Sequence, residues 1–177
     1  NDIKPGVTLP DFELPDHTGT KRKLSLLQGD APMVLTLHRG IYCPKDRQQF
    51  HQLVPFSKQC AVGFTRLVSV TTDNNLIQLN DLRLGVGADW PFLYDTDRAI
   101  ADALDIKKYT DTYNTPQIPH TFVLEPGLKI FKIYNGYWYW GRPSVAELHQ
   151  DLREVTRKIR LIRLASLASF RKPRRDP

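Results

Sequence analysis

Cysteine is scarce in this chain of 177 residues: Cys43 and Cys60 are the whole complement. Two thiols cannot staple a domain of this size, so a disulfide scaffold is excluded and the fold must rest on a hydrophobic core. The length is sufficient for one. No apolar run approaches the ~18 residues of a membrane span, and the opening NDIKPGVTLP lacks a signal-peptide core. A reducing, cytoplasmic compartment is therefore the expectation. The five histidines show no H-x₃-H or H-E-x₂-H spacing, so no metal is expected. The glycines are scattered without a GxGxxG or Walker loop, so no nucleotide cofactor is expected either. Internal repeats and low-complexity linkers are absent.

Positive charge is scarce where the formal net charge of +6 would lead one to look for it. Residues 1–152 hold 16 Lys and Arg against 17 Asp and Glu; residues 153–177 hold 9 against 2. The body is near neutral and carries no general nucleic-acid face. The basicity lies in the last helix and tail, where Leu161, Leu164, Leu167 and Ala168 share a helical face among Arg157, Arg160, Arg163 and Arg171. That pattern suits either a solvated terminal helix, the favoured reading, or contact with an anionic membrane surface.

What is present is an alternation of strand and helix patterns. PGVTLPDFELPDHTGTKRKLSLL reads as an extended entry, in which two apolar pieces flank a turn at Asp16-His17-Thr18-Gly19, which suits a hairpin. Met33 to Leu37 is almost continuously apolar, as in a strand buried on both faces. A helix pattern follows with Pro44 in its first turn, where a missing N–H costs nothing. Phe50, Leu53 and Val54 recur at helical spacing, and Pro55 should kink the helix. FTRLVSVTT reads as a strand, NNLIQLNDLRLGVG as a helix, WPFLYD as short and extended, and TDRAIADALDI as a helix. HTFVLEPGLKIFKIYNGYW reads as a hairpin turning at Glu125-Pro126-Gly127. The last helix starts at a capping box, Ser144 with Glu147 three residues on. The fold class expected is α/β, with a central mixed sheet flanked by helices on both faces. Residues 1–155 form the domain, and 156–177 a basic helical extension and tail.

Cys43 stands at a strand-to-helix junction. The unpaired N–H groups and partial positive charge of a helix start favour thiolate over thiol, and the thiolate is the nucleophile. Arg39, Lys45 and Arg47 add charge of the right sign. Against this stands the ordinary reading of a lone cysteine as an inert, buried one. Cys60 comes 17 residues later. In a continuous helix that is about 25 Å of rise, far beyond the ~7 Å that a disulfide allows between Cα atoms. A packed structural role is the simpler reading of Cys60.

LPDFELPDHTGTKRKLSLL, then a strand ending in HRGIYCPKDRQQF, then IPHTFVLEPG, resembles the alkyl hydroperoxide reductase/thiol-specific antioxidant (peroxiredoxin-like) branch of the thioredoxin fold, over roughly residues 3–155. The resemblance implies a thioredoxin-like fold and a peroxidatic cysteine at Cys43. It implies that Pro119, in Ile118-Pro119-His120, is the cis-proline facing that cysteine, an isomer only X–Pro adopts cheaply. It makes Arg142 in WGRPS the positional candidate for the arginine that polarises the peroxide; the alternative is a surface arginine packed on Trp140. Two departures stand out. The family's Thr or Ser three residues before the cysteine is Gly40 here, so a polar group would have to come from Tyr42 or His38. The resolving cysteine of CPxC relatives is Asp46, whose charge would oppose thiolate formation.

The implied activity is reduction of hydroperoxides by Cys43 working alone. Its sulfenic acid would be resolved by an external thiol, either a thioredoxin-type protein or a low-molecular-weight thiol. Arg39 or Arg142 would stabilise the leaving oxygen. A thioredoxin-like thiol-disulfide transferase and a non-catalytic binding or redox-sensing module remain open. The cluster Tyr134, Tyr137, Trp138, Tyr139, Trp140 suits either core packing or a homodimer or partner surface.

Overall fold

A computed structural model describes residues 3–73, 75–113, 116–137 and 141–170. The side chains of 167–170, the three aromatic residues at 138–140 and Arg171 lie outside the described set. The chain starts with a hairpin, β1 (Glu13–Pro15) and β2 (Lys21–Lys23), closed by Asp16. The Asp16 carboxylate accepts hydrogen bonds from the backbone N–H groups of Thr18 and Thr20 and from the Arg22 guanidinium. A turn of helix, α1 (Leu24–Gln28), follows where the sequence pattern showed only extended chain. Its Gln28 side chain bridges to Glu125 O and Leu128 N on the far hairpin, a contact no local pattern encodes.

The main sheet contains β3 (Met33–His38), β4 (Arg66–Thr71), β5 (Phe92–Tyr94), β6 (His120–Glu125) and β7 (Lys129–Asn135), in the order β5-β4-β3-β6-β7. β3 runs parallel to β4 and antiparallel to β6, so the sheet is mixed. The connecting helices are α2 (Pro44–Val62), α3 (Leu76–Val86) and α4 (Ala99–Ala103), and the chain closes with α5 (Val145–Phe170). Side chains alternate across a strand. Met33, Leu35 and Leu37 therefore join Leu24, Ile100 and Phe122 in one core. Val34 faces the other way into a second core with Phe50, Leu53, Leu79 and Leu152. Helices cover both faces, as expected.

α2 is one helix of 19 residues. Pro55, where a kink was expected, lies inside the helix without ending it: it is on the exposed face, where the carbonyl left without its N–H partner meets water. α5 begins at the expected capping box, with Ser144 N–H and hydroxyl both donating to Glu147. Asp151 ties it to β7 by accepting from Lys132 and from the Tyr134 hydroxyl. Tyr134 is thus partly buried against α5, while Tyr137 is exposed.

Candidate functional site

β3 ends at His38 in the middle of the sheet, and the chain turns through residues 39–42 into α2. Cys43 is the N-cap residue of α2, in extended conformation (φ −84°, ψ 112°), with Pro44 as the first helical residue. Its carbonyl accepts the first helical hydrogen bonds from Asp46 and Arg47 N–H (3.1 and 3.2 Å), and its own N–H donates to Gly40 O (3.1 Å). Cys43 is 5% exposed, so the thiol sits just beneath the surface at the positive end of the helix.

The loop that presents it is tied down by two carboxylates. Asp46 Oδ2 accepts from Arg39 N–H (2.8 Å) and Gly40 N–H (3.3 Å). Its Oδ1 pairs with Arg142 Nη2 and lies 3.5 Å from His38 Nδ1. Burial works to raise the Asp46 pKa, yet the His38 ring and the Arg142 guanidinium outweigh it and hold the carboxyl below its ordinary value. The sequence reading placed this charge against the thiolate. The structure instead engages it inward with an arginine and two backbone N–H groups. Asp73, beyond the end of β4, holds the other side: its Oδ2 accepts from Ile41 N–H (2.9 Å) and the Thr71 hydroxyl (2.7 Å).

Gly40 has φ +141°, where other residues are strained, and an added Cβ would lie 2.7 Å from Asp73 Oδ1 and 2.9 Å from the Tyr42 ring. A threonine or serine cannot occupy this backbone without moving both neighbours. The absent hydroxyl is therefore a property of the loop geometry.

The other candidates separate. Arg142 reaches the start of α2 through Asp46 and is only 15% exposed there. Arg39 enters the same loop, with its Nε buried and without a hydrogen-bond partner among the described residues. Tyr42 is 41% exposed. Burial of its hydroxyl, with the charges of Asp111, Cys43 and Asp46, pushes its pKa up to about 12 against the pull of Arg39. His38 offers no group to an open site. Its Nε2 meets Thr36 Oγ1 (2.7 Å), its ring packs on Phe50, and Thr36 leads through Ser69 to the Trp90 indole N–H.

Pro119 sits on the stretch leading into β6, whose His120 pairs with Leu37 at the Cys43 end of β3. The expectation of a cis bond is corrected: Ile118–Pro119 is trans. The backbone is held on both sides as an extended ladder, with Ile118 N–H on Ile106 O (2.6 Å) and Pro119 O accepting Gly136 N–H (2.7 Å). A trans bond satisfies that ladder and is the lower-energy isomer. Gln117, which no local signal singled out, ties this stretch to His38 O (3.0 Å).

Cys60 is buried 17 residues down the same helix, and burial pushes its thiol up to about 12. Both cysteines are free. No cluster of metal-ligating side chains is found among the described residues, and no helix among them is long and apolar enough to cross a membrane.

Comparison with known proteins agrees with this geometry. The Mycobacterium tuberculosis protein that carries the name peroxiredoxin Rv1608c is 29% identical over 133 residues, covering 74% of this chain and 84% of its own. Thiol-disulfide oxidoreductase ResA of Bacillus subtilis is 26% identical over 134 residues, 76% of this chain and 69% of that one. Among solved structures, peroxidoxin BcpB from Mycobacterium tuberculosis superposes with a TM-score of 0.74 at 26% identity, covering 88% of this chain and 97% of that one. A family model, AhpC/TSA family, matches residues 5–133. With that match spanning both the Cys43 loop and the Pro119 stretch, the chain belongs to the AhpC/TSA family of peroxiredoxin-like thiol oxidoreductases.

Proposed function

We propose that this enzyme reduces hydroperoxides through Cys43 alone, in a one-Cys cycle completed by an external thiol. The observation that carries the reading is the relation of the two cysteines. Cys43 caps α2, and Cys60 lies 17 residues further along the same unbroken helix, about 25 Å away by helical rise. In the first step the Cys43 thiolate attacks the distal oxygen of ROOH, giving Cys43–SOH and RO⁻. A thiol then condenses with the sulfenic acid, releasing water and leaving a mixed disulfide. A second thiol exchanges with that disulfide and restores Cys43. Arg142 and Arg39 supply positive charge near the developing oxyanion. A thioredoxin-type protein or a small thiol would serve as reductant, in keeping with the family.

The likeness to ResA supports a second reading, thiol-disulfide exchange on another protein or a small disulfide. Asp46 in the place of a second active-site cysteine restricts that reading to a single-thiol mechanism. One experiment separates the two. Reduced protein is mixed with hydrogen peroxide and followed by intact mass. Rapid, stoichiometric addition of one oxygen, abolished by Cys43→Ser and retained by Cys60→Ser, is the expected result. Oxidation at the rate of a free thiol refutes the peroxidase reading. Turnover of a glutathione mixed disulfide without peroxide reactivity would establish the exchange reading instead.

A further inference from the structure

The end of α2 opposite Cys43 carries a residue that its backbone does not favour. The helix closes in a Schellman turn: Thr65 N–H donates to Cys60 O (2.9 Å) and Phe64 N–H to Ala61 O (3.4 Å). That turn puts Phe64 in the left-handed region, at φ +51°. Glycine is the usual residue at this position, and a bulky side chain is strained there. Packing does not offset the strain, because Phe64 is 84% exposed and its neighbour Val62 is 82% exposed. A fold that holds an aromatic ring off its core at a conformational cost gains nothing from it internally.

The surroundings of this turn are cationic. Phe64 lines a groove with Ala61, Arg66, Ile159 and Arg163, and Asp30 lies on the same groove. An adjoining hollow, which shares Gly63, Thr65 and Thr156 with it, is bordered by Arg153, Arg157 and Arg160. Arg157, Arg160 and Arg163 have no ion-pair partner among the described residues. Just beyond Arg160, α5 exposes Leu161, Ile162 and Leu164 between its arginines. The turn and the last part of α5 thus present apolar and basic side chains together.

We infer that the end of α2 and the exposed end of α5 form a docking surface for an anionic lipid bilayer. Phe64 and Val62 enter the headgroup boundary, and Arg157, Arg160 and Arg163 meet the lipid phosphates. The charge selects this occupant. A second copy would bring the same surface, nine basic against two acidic residues over 153–177, against itself. The form of the surface selects it too. Its apolar side chains project singly, with arginines between them. A fluid interface accepts such anchors and lets the arginine stems snorkel, whereas a rigid protein would need a socket for each. Cys43 caps the other end of the 19-residue α2, about 28 Å away by helical rise, so docking leaves its loop uncovered. The inference does not depend on which reaction Cys43 performs.

The test is co-sedimentation of the full chain with vesicles of phosphatidylcholine and phosphatidylglycerol in equal parts, and with phosphatidylcholine vesicles alone. Binding to the mixed vesicles only, weakened by added salt, is the expected result. Phe64→Gly should weaken it roughly tenfold without lowering the thermal midpoint, since glycine suits the left-handed position. The double variant Arg160→Gln/Arg163→Gln should weaken it about 20-fold. Neither should change the rate of Cys43 alkylation in the absence of lipid. Equal binding to both vesicles, or to neither, overturns the inference. Undiminished binding by Phe64→Gly means that basic charge acts alone and overturns it too. So does a lowered midpoint in Phe64→Gly, which would make the ring a packing residue. A lipid-free dimer that Phe64→Gly dissociates assigns the surface to a second copy. Tighter, Phe64-dependent binding to polyglutamate than to the mixed vesicles assigns it to an acidic protein. Either of these results refutes the bilayer.

Discussion

Replacing Asp46 with alanine should cost this protein a large fraction of its stability, and the structure says where the cost arises. Asp46 is fully buried and accepts hydrogen bonds from Arg39 N–H, Gly40 N–H and the Arg142 guanidinium. Removing it leaves Arg142, 15% exposed, without its counter-ion, and strands the N–H groups of half-buried Arg39 and buried Gly40. Breaking a buried pair by deleting one partner costs about 3–5 kcal/mol, and a domain has only about 5–15 in total. With a urea m-value of roughly 2 kcal/mol/M, the unfolding midpoint should fall by about 2 M. The charge contribution can be isolated by the cycle Asp46→Asn, Arg142→Gln and the double variant, for which a coupling of about 1–3 kcal/mol is expected. The sign with pH follows from the depressed carboxyl. A group whose folded pKa lies below its unfolded value stabilises above the unfolded pKa and loses that effect as pH falls through the folded one. The coupling should therefore be full at pH 7 and fade below about pH 4. An Asp46→Ala midpoint within 0.5 M of wild type, on the order of 1 kcal/mol at this m-value, or a cycle with no coupling at neutral pH, would refute the argument.

Four further outcomes follow from the same geometry. Gly40→Ala should destabilise by at least about 1–3 kcal/mol and slow Cys43 chemistry, measured by chemical unfolding and iodoacetamide alkylation, because the added Cβ meets the Asp73 carboxyl. Cys60 should resist a thiol reagent at pH 8 in the native state and react at once in denaturant, since burial holds it at about 12; equal labelling of both cysteines in the native state would contradict this. Ser144→Ala should lower stability by about 1 kcal/mol through loss of the α5 capping box, read as a shift in thermal midpoint. Asp16 is the acid-sensitive group of the first hairpin. Burial would raise it, but the Thr18, Thr20 and Arg22 hydrogen bonds bring it down to about 2, so its contribution, present above about pH 4 and lost towards pH 2, should vanish from the acid-unfolding profile of Asp16→Asn.

The elements that were legible in the sequence are those encoded locally. Met33–Leu37 announced a strand buried on both faces through its unbroken apolar run. Pro44 and the Phe50/Leu53 spacing announced α2, and Ser144 with Glu147 announced α5. Cys43 was legible for the same reason, because a helix start is visible in nearby residues. What was hidden depends on residues distant in the chain. Asp73 lies 30 positions from Cys43 and reaches the Gly40–Ile41 stretch of its loop only because β4 pairs with β3. Gln117 reaches His38 across 79 residues. Asp46 was visible, but its partners were not, and so its charge was assigned to the wrong neighbour. The cis expectation at Pro119 came from family likeness, and the hydrogen-bond ladder around this particular proline favours trans. Leu24–Gln28 was read as extended because five residues are too few to show a helical period.

β3 is the middle strand of five, paired along its length on both sides, and the Cys43 loop hangs directly from its end. The last part of such a sheet to open is its centre, so the loop's anchor belongs to the slowest-exchanging unit of the molecule. Amide protons of Val34 to Leu37 should exchange only through global unfolding, whereas those of the short β1/β2 hairpin exchange through local fraying. Thermal inactivation should accordingly track loss of the whole fold, with no inactive yet folded state accumulating before it. In such a molecule, the temperature at which the enzyme stops working is a direct reading of the temperature at which it ceases to be folded.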